Sequence, residues 1–187
     1  MSSVLYFLSA AVVVTAWGAW TDLRTGHIPN WLTVGSIALA PLLHGGAALA
    51  AGESARSALL SLALSMGGAF VCALLPAGLY ARNALGGGDV KLFAAVGALC
   101  HPLLGLRAEL YSFALGGLYA VAIAVARKRW RSVLVNLTSL ATFRVDSSGQ
   151  GPVLETSGMM AVRFGPAIFA GTAASIWLGE SGQWISP

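Results

Sequence analysis

Apolar residues run along this chain in long blocks, and its polar positions collect in the short gaps between them. A helix that crosses the hydrocarbon core of a bilayer needs about 20 mainly apolar residues, with a workable range of about 17–25. Six blocks meet that demand: residues 4–20, 31–51, 58–81, 90–106, 110–126 and 159–178, the last of them interrupted by Arg163. The pattern predicts an all-α integral membrane protein with six transmembrane helices in one polytopic domain over residues 1–187. No cation precedes the first block and Arg24 follows it, which favours an uncleaved anchor over a signal peptide. The glycine pairs Gly67-Gly68 and Gly116-Gly117 suit close helix packing.

The polar remainder sets an orientation. With the N-terminus outside, Arg24, Arg82, Lys91, Arg127, Lys128, Arg129, Arg131, Arg144 and Arg163 fall on the cytoplasmic side, and Arg56 and Arg107 fall outside. Cytoplasmic loops carry the excess of Lys and Arg, so both termini are expected outside. The linker 127–158 is the one long polar stretch. In it Trp130, Val133, Leu134, Leu137, Leu140 and Ala141 recur at helical spacing opposite Arg131, Ser132 and Asn136. That spacing predicts an amphipathic helix in the cytoplasmic interface, the alternative being a topology signal followed by a loop.

Composition agrees: 57% of the 187 residues are hydrophobic and 10% charged, against about 45–50% and about 25% in soluble domains. A soluble globular protein and a disordered chain are both excluded. The net charge of +4 comes without an extended basic domain, so no nucleic acid is expected as a partner. Cys72 and Cys100 lie in apolar blocks and offer no disulfide framework or metal site. No metal ligands are expected elsewhere.

Two of the seven acids stand out by position. Asp22 falls just past the cytoplasmic end of the first block and Asp89 at the cytoplasmic start of the fourth. Glu53, Glu109 and Glu180 are expected outside, and Asp146 and Glu155 in the linker. Asp22 opens Asp-Leu-Arg-Thr-Gly-His-Ile-Pro-Asn, whose Pro29 stiffens the entry to the second block. Asp89 ends Gly86-Gly87-Gly88-Asp89, where bare backbone suits the approach of an extended peptide. The structural alternatives are a solvated acid at a helix end for Asp22 and an ordinary N-cap after a turn for Asp89.

Two facing carboxylates suit aspartyl proteolysis, because a pair that shares a site ionises as a unit and supplies one base and one acid. Asp22 near a helix C-terminus is expected to be the initial acid, and Asp89 near an N-terminus the base. Small proton-coupled transporters also use paired acids, but near the bilayer midplane and within inverted repeats. A non-catalytic assembly scaffold is a third reading.

The segments Asp22-Leu-Arg24-Thr-Gly-His-Ile-Pro29-Asn30 and Gly86-Gly87-Gly88-Asp89-Val-Lys91 resemble the two motifs of the type IV prepilin peptidases, membrane aspartyl proteases of the GxGD class. Phe164-Gly-Pro166-Ala-Ile is a weaker third match, to which no role is carried. The resemblance implies a catalytic pair Asp22 and Asp89, with Gly86, Gly88, Lys91, Arg24, Pro29 and Asn30 as motif or supporting positions. Arg24 and Lys91 serve equally as positive-inside markers. His27 reads as an interfacial histidine and Arg163 as a residue reaching the interface.

The implied activity is removal of the basic leader from prepilins or pseudopilins, ahead of a hydrophobic helix, at the cytoplasmic face of the bacterial inner membrane. Proteolysis of this kind needs no cofactor. The chain lacks the zinc-binding insert of the longer members, and so resembles the short form of tight-adherence (Flp) pilus systems. Many long members also methylate the new N-terminus with S-adenosylmethionine; without the insert that activity is not carried over. Other GxGD intramembrane proteases share only the second motif, and their Tyr-Asp partner motif is absent here.

Overall fold

The computed structural model describes residues 2–126 and 163–180. Its elements are α1 (Ser2–Thr25), α2 (Asn30–Ala50), α3 (Ala55–Tyr80), α4 (Gly87–Ala126) and α5 (Gly165–Glu180), with no strand among the described residues. Helices α1 to α4 are long and apolar enough to cross a membrane. α5, at 16 residues, covers about 24 Å at 1.5 Å per residue, short of the ~30 Å hydrocarbon core. The amphipathic helix expected in 127–158 and the start of the sixth block, 159–162, lie outside the described residues.

α4 is not one straight rod. Pro102 has no N–H to give to the carbonyl four residues back, and the residue before a proline is pushed out of the helical region. His101 leaves the helical region at φ 62° and ψ 169°, a positive φ beyond what the proline alone requires. Two limbs, 87–100 and 102–126, fold back on each other from that point. Phe93 and Phe113 would be about 30 Å apart on a straight helix, yet their rings stack at 5.3 Å. The turn therefore comes at His101, not between the expected blocks 90–106 and 110–126. The run Leu103 to Leu106 continues the apolar pattern and hides the break.

Breaking the helix orphans the last carbonyls of the first limb, and in an apolar bundle such groups need donors. Neighbouring helices supply them. Ser65 of α3 donates its hydroxyl to the Ala98 carbonyl at 2.7 Å, and His44 Nε2 of α2 lies 3.1 Å from the Leu99 carbonyl.

The first limb is the core of the molecule. Residues 92–100 are all buried, and α4 packs against each of the other four helices. Where it crosses α3, Gly97 and Gly68 bring the two backbones so close that a Cβ on either would overlap the other's carbonyl. Close approach through small residues is how membrane helices gain dispersion contact when lipid tails remove the hydrophobic drive. Large apolar side chains on the outside, among them Leu42, Leu60, Phe70, Leu74 and Leu118, form a surface suited to lipid. Cys72 and Cys100 are buried free thiols, packed as small apolar groups.

Five helix ends meet at one end of the bundle. Ile28, after α1, touches Gly88 at the start of α4; Tyr80, ending α3, touches Gly87; Lys91 of α4 bonds Asn30 of α2; and the first residue of α5 bonds Asp22 of α1.

Candidate active site

α1 runs past the end of its apolar block, so Asp22 lies inside its last turn. The helix stops where Gly26 gives its N–H to the Asp22 carbonyl at 2.9 Å and turns left-handed, φ +67°. Glycine tolerates that conformation, as at many helix C-termini. The chain then passes through His27 and Ile28, and Pro29 precedes the first turn of α2. Ile28 is buried and packs at Gly88, where a Cβ would meet it at 3.3 Å. The two polar motifs thus lie against each other.

At the start of α4 the carbonyl of Gly86 accepts from the N–H groups of Asp89 (3.1 Å) and Val90 (3.3 Å). Asp89 Oδ2 in turn accepts from the Gly86 N–H at 3.3 Å. Gly86 is therefore the N-cap and Asp89 the third helical residue, reaching back as in half of a capping box. This corrects the reading of Asp89 as the N-cap itself.

Asp22 finds its donor 143 residues away: the Gly165 N–H, first of α5, gives a buried hydrogen bond of 3.0 Å to Asp22 Oδ2. An N–H in the first turn of a helix has no partner within its helix, so Asp22 caps α5 from another element. Asp22 is 8% exposed and Asp89 9%, and the two lie close enough for the charge of one to act on the other. Among the described residues each carboxylate has one oxygen held by a glycine N–H, which leaves its other oxygen for a water or a shared proton. Asp22 lies in the C-terminal turn of α1 and also faces the N-terminus of α5, so the two helix ends act on it in opposite senses and helix-end charge alone does not divide acid from base.

The supporting residues are placed unequally. Gly86 and Gly88 line the start of α4 beside Asp89. Lys91 Nζ donates to Asn30 Oδ1 at 2.8 Å, linking the second motif to the end of the first. Arg24 lies over the Trp20 ring, 4.1 Å from its centroid, an exposed cation–π contact. Arg163 approaches the same end, with its guanidinium 4.0 Å from where a Cβ on Gly26 would stand.

Sequence reasoning gave no role to Phe164-Gly165-Pro166, although Gly165 touches Asp22. It also placed Glu109 outside, between two blocks. Glu109 lies within the second limb of α4, 3% exposed, and among the described residues neither carboxylate oxygen has a hydrogen-bond partner. A charge near a presumed loop suggested exposure, but with the turn at His101 the residue falls well down the second limb.

No curated protein and no solved structure matches the chain. Residues 7–121 match the type IV leader peptidase family, a stretch that holds both Asp22 and Asp89 and stops before α5. The match spans more than half of the chain, which therefore belongs to the type IV leader peptidase family.

Proposed function

We propose that this membrane peptidase is an aspartic endopeptidase and that Asp22 and Asp89 carry its chemistry. The supporting observation is the pair itself: two buried carboxylates from α1 and α4, in electrostatic contact, each with one oxygen held by a backbone N–H. Close carboxylates resist double ionisation, so the working pair holds one proton. The ionised member takes a proton from water as the water oxygen attacks the scissile carbonyl carbon. The protonated member gives its proton to the carbonyl oxygen. Collapse of the resulting gem-diol breaks the C–N bond, and the proton taken from water passes to the leaving nitrogen.

The substrate is a type IV prepilin or pseudopilin of the Flp kind, with a short basic leader ahead of a hydrophobic helix, cut at the cytoplasmic face of the bacterial inner membrane. Arg24, Arg82, Lys91 and Arg163 near this end, followed by the cationic run 127–131, agree with a cytoplasmic location. The test is cleavage of such a substrate by the purified chain, with the product's N-terminus mapped by mass spectrometry. One cut at the junction of leader and helix is expected. No cleavage of any leader-bearing substrate would remove the proposal.

The structure also favours a second reading. Both carboxylates cap helices, so each has a structural reason to be there without any catalysis. Asparagine keeps a side-chain oxygen that can accept the same backbone N–H, which makes Asp→Asn the substitution that separates the readings.

A further inference from the structure

Phe164, Gly165 and Pro166 lie beyond the matched stretch, yet one of them touches the carboxylate pair. A Cβ on Gly165 would stand 2.9 Å from both Cβ and Oδ2 of Asp22 and 3.2 Å from the Ala19 Cα. The two 2.9 Å separations are shorter than real Cβ atoms show and the third is tight, so a side chain here would push the backbone N–H off this carboxylate. Pro166 has no N–H, and the Ala167 N–H is taken by the Phe164 carbonyl at 3.0 Å. Gly165 is the donor that the start of α5 offers.

Phe164 sets where that donor stands. Its ring fills a notch in the second limb of α4 at Gly116, where any Cβ would overlap ring atoms Cε2 and Cζ. It also meets Phe113 at 5.5 Å and Phe93 at 6.3 Å between centroids, while those two stack on each other. Phe93 is four residues after Asp89 and so on the same face of its helix. One aromatic block therefore ties the start of α5 to the limb that carries Asp89.

We propose that Phe164 and Gly165 are positioning residues for the peptidase: Gly165 pins one oxygen of Asp22 and turns the other toward Asp89, and Phe164 acts through Gly165 by its seat in the Gly116 notch. This rests on the carboxylate pair being catalytic. A misplacement of about 1 Å can cost about 100-fold in rate, so Gly165→Ala is expected to lower kcat about 100-fold with KM within about threefold.

The notch gives a second test that does not depend on that variant folding. Gly116→Ala alone should lower kcat about tenfold by displacing the Phe164 ring, whereas in the Phe164→Leu background, where the shorter side chain leaves room, it should cost less than about twofold. All are measured on the full-length chain in lipid, beside the thermal midpoint of each variant. Wild-type kcat in folded Gly165→Ala, losses that follow the folded fraction or KM alone, or equal effects of Gly116→Ala in both backgrounds would each overturn the proposal. Asp22→Asn is run in parallel: if it stays active the catalytic pair itself falls, whereas its inactivity beside an unaffected Gly165→Ala rejects only the positioning role.

Discussion

Asp22 and Asp89 at one end of the bundle and Glu109 in the second limb of α4 are all nearly sealed from solvent, at 8%, 9% and 3% exposed, but their surroundings have little in common. The first two each receive a glycine N–H from the start of a helix and lie within each other's field. Among the described residues Glu109 has neither a donor nor a counter-charge in hydrogen-bond contact, and it lies near enough to Cys72 for its charge to act there. Burial alone costs free energy. What distinguishes the pair is preorganisation, with one oxygen fixed, one left over and a second carboxyl beside it. An acid inside a membrane bundle invites a functional reading, and here the geometry supports that reading for two acids and withholds it from the third.

Several substitutions sharpen this contrast. Alanine at Asp22 or Asp89 removes the chemistry together with a helix-end acceptor: cleavage should fall below detection, and stability by about 1 kcal/mol, the usual worth of a cap. Retained cleavage would collapse the difference between the pair and Glu109. Glu109→Leu should do the reverse, raising stability by about 1–3 kcal/mol as an unsatisfied buried group is removed, with cleavage near wild type. A large loss of activity there, at unchanged stability, would make Glu109 part of the site.

Smaller effects are expected away from all three acids. Ser65→Ala removes one donor to the Ala98 carbonyl, which His44 also approaches, and should cost about 1 kcal/mol in chemical denaturation without altering KM. Lys91→Met breaks an exposed link to Asn30, and with water ready to replace it the stability change should be well under about 1 kcal/mol. A KM increase in that variant would give Lys91 a role in holding substrate.

The parts of the site that could be read in the sequence are those encoded by neighbours along the chain. Asp22 with its Ile-Pro-Asn sequel, and Asp89 behind three glycines, are local patterns whose meeting follows from helices that begin and end on one side. The turn at His101 was hidden because hydropathy counts Leu103 to Leu106 as more of the same helix, and proline is common enough in membrane helices to pass unnoticed. The misplacement of Glu109 follows from that missed turn. Gly165 was illegible for a different reason: its value lies in an N–H and an absent Cβ, and its partner is 143 residues away. No periodicity records such a contact.

The most direct test of the central claim is single-turnover cleavage of a leader-bearing substrate by Asp22→Asn and Asp89→Asn, with the thermal midpoint of each variant followed alongside. Asparagine keeps the oxygen that accepts from Gly165 or Gly86 and loses the carboxyl that moves protons. Both variants are predicted to fold with near-wild-type midpoints and to cleave more than about 1,000-fold more slowly, the upper part of the range for losing a positioned acid or base. Cleavage within tenfold of wild type in either variant would contradict the account and leave these aspartates as helix caps.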